Sequence, residues 1–280
     1  HDRFCPETIC VTWCCLNGTM MPIEQATISP MDRGFLFGDG VYEVMARVDG
    51  RIRAKSLHQA RLQSSLDAIG LSVSVDDIFA DVDRLTEKAG LLDAKIYIQV
   101  TRGAASARDH AFPSKISPTV FLTISEFAAV SQKPSIAIVR PDIRWRRNSI
   151  KSVSLLGNVL LMQEARDSGA HEAILHRDHL VTEASTSNVF VIRGQSLVTP
   201  PLSDLILPGI TRHLVIEMAS QIGLDVIEES IHVDSLSDAD GVFVSSSTRG
   251  LMPIVELDPG GQVGSGQLTQ AFMALQAAYD

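Results

Sequence analysis

The sequence predicts an α/β fold with mixed sheets (α+β), arranged as two domains. At 280 residues the chain is longer than a single compact core of typical size requires. Short β-branched runs alternate with stretches of helical period in both halves of the chain. Two turn signals, Asn17-Gly18 and Asp49-Gly50, each join a pair of such runs, as expected for β-hairpins.

The first half begins with strands and continues with two helices. Strands are predicted at 12–16, 19–23, 41–48, 51–54, 95–101 and 119–125. One helix is predicted over 57–68, ending at Gly70, and another over 76–89, capped by Ser74 and ending at Gly90.

The segment 126–134 loses periodicity and carries a proline, which favours an interdomain linker. We therefore expect an N-terminal extension at 1–11, a small α/β domain at 12–125 and a large domain at 135–280. In the large domain, strands are predicted at 136–139, 172–176, 189–192, 225–229 and 242–245, and helices at 155–166 and 211–222.

Charge and composition exclude several classes of function. A formal net charge of −9 disfavours nucleic acid and anionic membranes as partners, because both require a basic face. We find neither a membrane-spanning stretch nor a signal peptide and expect a soluble, cytoplasmic protein. The 4 cysteines all lie within the first fifteen positions, which favours free thiols over a disulfide framework or a metal site: Cys5, Cys10, Cys14 and Cys15.

Lys151 and Glu183 carry the two groups that a pyridoxal phosphate cofactor requires. A lysine amine can hold the cofactor aldehyde as a Schiff base, and a carboxylate facing the pyridine nitrogen keeps that nitrogen protonated. Considered singly, each residue has an ordinary alternative, because most lysines are solvated and Glu183 could belong to an exposed turn.

Other segments have side chains or backbone groups suited to anions. The loop 207–211 leads into a helix whose first amides favour a phosphate, and 243–250 places a hydroxyl cluster after a strand. A second cluster at 185–188 could bind an anion or form a solvated turn. Arg108 and His110 could clamp a carboxylate or belong to an ordinary polar loop. The glycine-rich stretch 32–43 does not fit a nucleotide loop, because no strand precedes it and no helix obviously follows.

The order of these motifs resembles the fold type IV pyridoxal phosphate enzymes, and within them the D-amino-acid aminotransferases. The resemblance extends from about residue 12 to 255. It is carried by Asp32-Arg-Gly-Phe-Leu-Phe-Gly-Asp-Gly-Val-Tyr-Glu-Val44, Gln99-Val-Thr-Arg-Gly103, Arg108-Asp-His-Ala-Phe-Pro113, Asp142-Ile-Arg-Trp145, Ile150-Lys-Ser152, Glu172-Ala-Ile-Leu-His-Arg177, Val181-Thr-Glu183 and Gly209-Ile-Thr-Arg212.

The resemblance implies a smaller N-terminal domain and a larger cofactor-binding domain, with pyridoxal 5′-phosphate between them. It makes Lys151 the Schiff-base lysine and Glu183 the partner of the pyridine nitrogen. It also implies further cofactor contacts, namely Arg61, Asn188, Leu207, Ile210, Thr211, Ser246 and Ser247.

The substrate carboxylate would be received by Tyr42, Arg108 and His110, the last two reaching across from the neighbouring subunit of a homodimer. The implied reaction is transamination between D-amino acids and 2-oxo acids. The chain departs from the usual pattern at Ala184, Ser247 and the pair Arg249-Gly250.

Three rival functions are weighed against this prediction. The nearest keeps the cofactor and is a branched-chain L-amino-acid aminotransferase or an aminodeoxychorismate lyase. A second is a non-catalytic anion- or cofactor-binding protein in which Lys151 only pairs with a carboxylate. The third is a structural dimer module whose hydroxyl clusters are accidental.

Overall fold

The computed structural model describes residues 13–127 and 133–279, which form two compact units. Unit 1 is His1–Ala129 with Ile150–Ser154, and unit 2 is Val130–Ser149 with Leu155–Asp280. The predicted extension at 1–11 and residues 128–132 of the predicted linker lie outside the described residues. Residues 150–154, predicted within the large domain, group with unit 1 because Ser152 bridges to Val41 and the Val153 amide donates to the Gly40 carbonyl.

The described part of unit 1 is one antiparallel sheet with helices. The sheet order is β2-β1-β6-β5-β3-β4. Its strands are β1 (Trp13–Leu16), β2 (Thr19–Pro22), β3 (Gly40–Val48), β4 (Arg51–Ile52), β5 (Ala94–Thr101) and β6 (Thr119–Glu126). Its helices are α1 (Arg33–Phe37), α2 (Lys55–Ala68) and α3 (Val75–Ala89), with a 3-10 helix at Ile23–Gln25.

Helices α2 and α3 form as their sequences predict. Ser74 Oγ accepts from the Asp77 amide at 3.2 Å at the start of α3, and Gly90 ends that helix in the left-handed conformation. Leucines of α2 and α3 pack with the isoleucines of β5 and β6 in one core. This core supports β3, the strand that carries Tyr42 and Glu43.

Unit 2 contains a mixed nine-stranded sheet. Its strands are β7 (Ser135–Pro141), β8 (Glu172–Arg177), β9 (Leu180–Ala184), β10 (Asn188–Arg193), β11 (Ser196–Thr199), β12 (Asp225–Glu228), β13 (Gly241–Ser246), β14 (Gly250–Asp258) and β15 (Gly261–Gln262). Its helices are α4 (Leu156–Asp167), α5 (Ile210–Gln221) and α6 (Gln270–Tyr279), with a 3-10 helix at Val233–Ser235.

The order of the large sheet is β12-β11-β10-β13-β14-β7-β8-β9, with β15 beside β14. The pairs β11–β12, β7–β14 and β7–β8 are parallel. Helices α5 and α6 pack with Phe190 and Phe243 in one core cluster, whereas α4 packs on β7 and β8 through Leu161 and Ala165. Val181 and Ala184, which flank Glu183 on β9, belong to a further apolar cluster of this sheet.

Within the described residues, none of the helices combines the length and the apolar character needed to span a bilayer. The cytoplasmic location stays a prediction. Cys14 and Cys15 are buried as free thiols, whereas Cys5 and Cys10 lie outside the described residues.

Candidate active site

Lys151 lies beside strand β3 in unit 1. Its carbonyl accepts from the Tyr42 amide at 2.9 Å, and its own amide donates to Ser65 Oγ at 3.3 Å. The side chain is half-buried, with Nζ 4.2 Å from the centroid of the Tyr42 ring. The structure therefore brings the predicted Schiff-base lysine and one predicted substrate-binding residue into contact.

A buried carboxylate, Glu43, organises the side chains next to this pair. Arg61 binds it through Nε at 2.7 Å and Nη2 at 2.8 Å, and His58 Nδ1 lies 2.8 Å away. Burial alone would raise the pKa of Glu43, but the charge and hydrogen bonds of Arg61 and the bond from His58 outweigh it and hold the pKa at about 2. Glu43 is therefore ionised at neutral pH and fixes the guanidinium of Arg61, whose phosphate contact stays a prediction.

Arg108 and His110 lie together on the loop between β5 and β6. The Arg108 guanidinium carbon is 4.8 Å from the centroid of the Phe37 ring, and the His110 ring centroid is 5.1 Å from it. Both residues are exposed. The two predicted carboxylate-binding side chains, Arg108 and His110, therefore both pack against the Phe37 ring of α1.

Glu183 lies on β9 in unit 2 and is buried. Its carboxylate accepts from Arg144 Nη1 at 2.5 Å, from Asn188 Nδ2 at 3.1 Å and from the Leu207 amide at 3.0 Å. Asn188 Nδ2 also donates to the Leu207 carbonyl at 2.9 Å. The structure therefore joins three of the predicted cofactor contacts and excludes the solvated-turn alternative for Glu183.

Arg144 is the cation that offsets the buried charge of Glu183. Its Nε and Nη2 also bind the two oxygens of Asp142, both at 2.9 Å. Burial raises the pKa of Glu183, and Arg144 opposes that rise. Although burial disfavours its charge, the pKa of Arg144 lies above its usual range because of Glu183 and Asp142. The arrangement is a buried, hydrogen-bonded ion network.

The two predicted phosphate segments lie on elements that pack together, α5 and β13. Helix α5 starts at Ile210 and Thr211, and its N-cap, Gly209, supplies no side chain to bind the first amides. Ser245 Oγ is buried and has no hydrogen-bond partner among the described residues, one position before Ser246. Donors at a helix N-terminus and hydroxyls at a strand end suit a phosphate group.

The hydroxyl cluster at 185–187 forms neither a site for a ligand anion nor a solvated turn. Ser185, Thr186 and Ser187 all donate to the carboxylate of Glu172, which is fully buried. Arg249 adds an ion pair to Glu172 at 2.5 Å. The anion at this cluster is a side chain of the protein itself, so both the prediction of a ligand anion and that of a solvated turn are wrong here.

Several site residues had no predicted role, although they lie in or near the matched motifs. These are Glu43, His58, Asp142, Arg144, Glu172 and Arg249. The spacing Asp142-Ile-Arg144 is the one local signal, because it lets an arginine fold back on a carboxylate two positions away. The other pairings join residues far apart in sequence, which no local pattern reveals.

The residues present fit pyridoxal phosphate. A carboxylate can accept about four hydrogen bonds, and Glu183 uses three on the contacts described, which leaves capacity for a pyridinium N–H. The buried Ser245 hydroxyl and the α5 N-terminus offer donors of the type that a phosphate requires. Lys151 supplies a primary amine.

Comparisons with known proteins agree with this chemistry. The D-alanine aminotransferase of Staphylococcus epidermidis is 37% identical over 274 residues, which cover 95% of each chain. The solved branched-chain amino acid aminotransferase of Escherichia coli superposes with a TM-score of 0.89 at 25% identity, covering 96% of this chain and 93% of the other. That of Thermoproteus uzoniensis, solved with norvaline, has a TM-score of 0.86 at 26% identity over 96% and 93% of the two chains.

The sequence profile of one family, described as amino-transferase class IV, matches residues 40–257. This range includes β3 with Tyr42 and Glu43, Lys151, the Glu183 network and both predicted phosphate segments. The match covers more than half of the chain, and the D-alanine aminotransferase identity extends over nearly all of it. The chain therefore belongs to the class IV aminotransferase family.

Proposed function

We propose that the protein is a pyridoxal-phosphate-dependent aminotransferase that exchanges the amino group between D-amino acids and 2-oxo acids, such as D-alanine and 2-oxoglutarate. The observation that carries the choice of substrate is the 37% identity with a D-alanine aminotransferase along 95% of both chains. The Arg108 and His110 pair beside Phe37 supports it, because a guanidinium and an imidazole in one place offer hydrogen-bond donors that suit a carboxylate.

In this proposal pyridoxal phosphate, when bound, withdraws electrons from the substrate α-carbon and thereby acidifies its C–H bond. Lys151 would hold the cofactor covalently through its side-chain amine. When free, the Lys151 amine would remove the proton from the substrate α-carbon and deliver a proton at the cofactor C4′ atom. Glu183 keeps the ring nitrogen protonated, and the Arg144 charge holds that carboxylate in one position.

The remaining residues bind and orient. We assign the phosphate to Arg61, Ile210, Thr211, Ser246 and Ser247, with Asn188 and Leu207 fixing Glu183. The substrate carboxylate binds Arg108, His110 and Tyr42, which directs one face of the α-carbon toward Lys151 and so selects the enantiomer.

We also propose that the protein is a homodimer whose loops carrying Arg108 and His110 complete the partner's site. Exposed apolar side chains at the start of α4 support association, because Leu156 is 71% exposed and Val159 is 59% exposed.

A branched-chain L-amino-acid aminotransferase is the second candidate, favoured by the close superposition on the Escherichia coli enzyme. A donor panel distinguishes the two. With added pyridoxal phosphate and with 2-oxoglutarate as the amino acceptor, we expect the purified protein to release pyruvate from D-alanine and to leave L-leucine unreacted. Exclusive turnover of L-leucine would replace the proposal with the second candidate.

Lys151→Ala tests the covalent link. We expect borohydride reduction to fix the cofactor to the wild-type protein, so that the absorbance of the reduced cofactor stays with the protein after denaturation and desalting. The variant should lose that absorbance, whereas Lys95→Ala on β5 should retain it. Loss of the label from the wild-type protein would refute the role of Lys151.

A further inference from the structure

Asp32 and Arg33 lie at the start of the glycine-rich stretch and have no role in the chemistry above. Both side chains are buried, at 1% and 3% exposure, although both carry a charge. Burying a charge is costly unless it is paired or hydrogen-bonded, so the contacts of these two residues indicate what they stabilise. Those contacts lead to the loop that carries Arg108 and His110.

Arg33 binds the middle of that loop by its main chain. Its Nη1 donates to the carbonyls of Asp109 at 2.5 Å and Ala111 at 3.3 Å, and its Nη2 donates to the carbonyl of His110 at 3.1 Å. Three consecutive carbonyls thus converge on one guanidinium, whose planar array of donors suits such a set. Residues 109–111, next to Arg108, are therefore held by Arg33 although they belong to no helix or strand.

Asp32 binds the two ends of the same loop. Its Oδ2 accepts from Thr101 Oγ1 at 3.0 Å and from Thr119 Oγ1 at 2.6 Å, the residues where β5 ends and β6 begins. The Arg33 amide also donates to the Gly103 carbonyl at 2.9 Å. The loop is therefore fastened at its entrance, at its exit and at its centre by two adjacent residues.

The orientation of Arg33 is itself fixed. Its Nε donates to Asp39 Oδ2 at 2.7 Å, and Arg102 Nε donates to the same oxygen at 2.8 Å. The Arg33 guanidinium carbon lies 4.8 Å from the Phe37 ring centroid, the same ring against which Arg108 and His110 pack. Arg33, Phe37 and the two loop side chains therefore form one connected group.

We propose that Arg33 is a positioning residue for substrate specificity, which presents Arg108 and His110 to the substrate carboxylate by holding the carbonyls of residues 109, 110 and 111. This inference rests on the proposed carboxylate-binding role of Arg108 and His110. Without Arg33, the side chains of Arg108 and His110 would remain but would no longer be held at a fixed separation. Carboxylate binding would therefore weaken, whereas the proton transfers at Lys151 would not slow.

The test compares Arg33→Ala, Arg33→Lys, Arg108→Ala and Arg47→Ala in the holoenzyme. Arg47 is the matched control, because it also donates to a backbone carbonyl in unit 1, that of Leu91, at the opposite end of β3. We measure KM and kcat for D-alanine and 2-oxoglutarate, the calorimetric Kd of propionate, and amide hydrogen exchange over 104–118.

We expect Arg33→Ala to raise both KM values and the propionate Kd by roughly tenfold to a hundredfold, with kcat changed less than about threefold. Exchange over 104–118 should accelerate in this variant and not in Arg47→Ala. Arg33→Lys keeps the ion pair with Asp39 but cannot span three carbonyls, so its KM values should lie between those of the wild type and Arg33→Ala.

The possible outcomes distinguish the positioning role of Arg33 from the carboxylate-binding role of Arg108 and His110. If Arg108→Ala raises KM and the Arg33 variants leave KM and the propionate Kd unchanged, Arg33 has no positioning role and the carboxylate assignment stands. If Arg108→Ala leaves D-alanine kinetics unchanged, the carboxylate assignment itself fails and the inference fails with it. Should Arg33→Ala not fold, Arg33→Lys decides by the same measurements. An equal loss in Arg47→Ala would show a general structural effect and overturn the proposal.

Discussion

Glu43 is a buried carboxylate whose charge is stabilised by two neighbouring side chains. It is fully buried and carries an ion pair with Arg61 and a hydrogen bond with His58. Replacement of one partner of such a pair leaves the other charge buried, so these residues are coupled in any mutational study. The sequence motif containing Glu43 was recognised, but its partner lies 18 positions away and was assigned a different role.

The lowered pKa of Glu43 predicts acid sensitivity. A carboxyl group whose pKa falls from 4.5 to about 2 on folding contributes stability that is fully present above about pH 4.5 and is lost as the pH falls toward 2. The difference corresponds to roughly 3 kcal/mol. Burial also lowers the pKa of His58, which adds a loss of stability in the same direction below pH 6.5.

Denaturant unfolding of the wild type and of Glu43→Gln between pH 3 and 7 measures this effect. We expect the difference in the free energy of unfolding to shrink as the pH falls below about 4.5, because the unfolded wild type then takes up a proton at Glu43 that the native state does not, and the variant has no such carboxyl group. Taking the difference removes the opposite contribution of Glu183, whose pKa is raised. A pH-independent difference would contradict the assigned ionisation.

At the level of elements, strong periodicity and explicit turn residues were enough for α2, α3, α5 and the first hairpin. Two of the strands that were missed violate a local rule. Strand β14 contains Pro253 in the interior of the sheet, where a proline normally argues against a strand. Strand β9 joins the predicted strand β8 through Asp178 and His179, both with positive φ, rather than through a glycine.

The missed short helix α1 has a tertiary explanation. Its N-cap, Asp32, accepts from the Gly34 amide at 2.8 Å, but the helix has only 5 residues and lies within a glycine-rich run. An isolated helix of this length is unstable in water, so its formation depends on contacts with the loop. Because α1 was not predicted, the contacts of Asp32 and Arg33 with the loop between β5 and β6 were not predicted either.

Arg249 yields a prediction about the hairpin of β13 and β14. Arg249 follows Ser246 and Ser247, and its guanidinium binds Glu172 and the Ser187 hydroxyl, which ties this turn to the start of β8. We expect Arg249→Ala to lower the free energy of unfolding by about 1–3 kcal/mol, because Glu172 then keeps only neutral donors. The affinity of the apoprotein for pyridoxal phosphate should fall as well.

Thermal unfolding and a fluorescence titration of the apoprotein with pyridoxal phosphate measure the two effects. Arg193→Ala, which removes an exposed hydrogen bond to Ser235 in the same unit, serves as the control and should change neither. Unaltered cofactor affinity in Arg249→Ala would show that the turn is rigid without this ion pair.

At the scale of the whole molecule, the chain length predicted two domains, and the structure shows two compact units. The ion pairs between residues far apart in the sequence were not predicted. The Arg144–Glu183 pair spans 39 positions and the Arg249–Glu172 pair spans 77, so neither leaves a periodic signal. The predicted site residues Lys151 and Glu183 were found because the order of motifs resembles a family, rather than through local spacing.

The proposed homodimer can be tested through the exposed face of α4. Leu156, Val159 and Leu160 follow helical spacing and are 71%, 59% and 53% exposed. We expect Leu160→Glu to shift the protein toward monomer in analytical ultracentrifugation at micromolar concentration, because a charge cannot be buried cheaply in an apolar interface. Gln163→Glu on the same helix is the control, and an unchanged dimer in Leu160→Glu would exclude this face.

Because Arg33 binds main-chain oxygens, its contacts with the loop do not depend on which side chains the loop carries. Since a carbonyl is common to every amino acid, replacement of the side chains at 109, 110 or 111 leaves the acceptors available to the same guanidinium. Substitutions in this part of the loop can then change which acids the enzyme accepts, while the backbone of the loop keeps its position. Laboratory selection for new donors should accordingly find tolerated changes at 109 and 111 and few at His110, which is proposed to bind the substrate, or at Arg33.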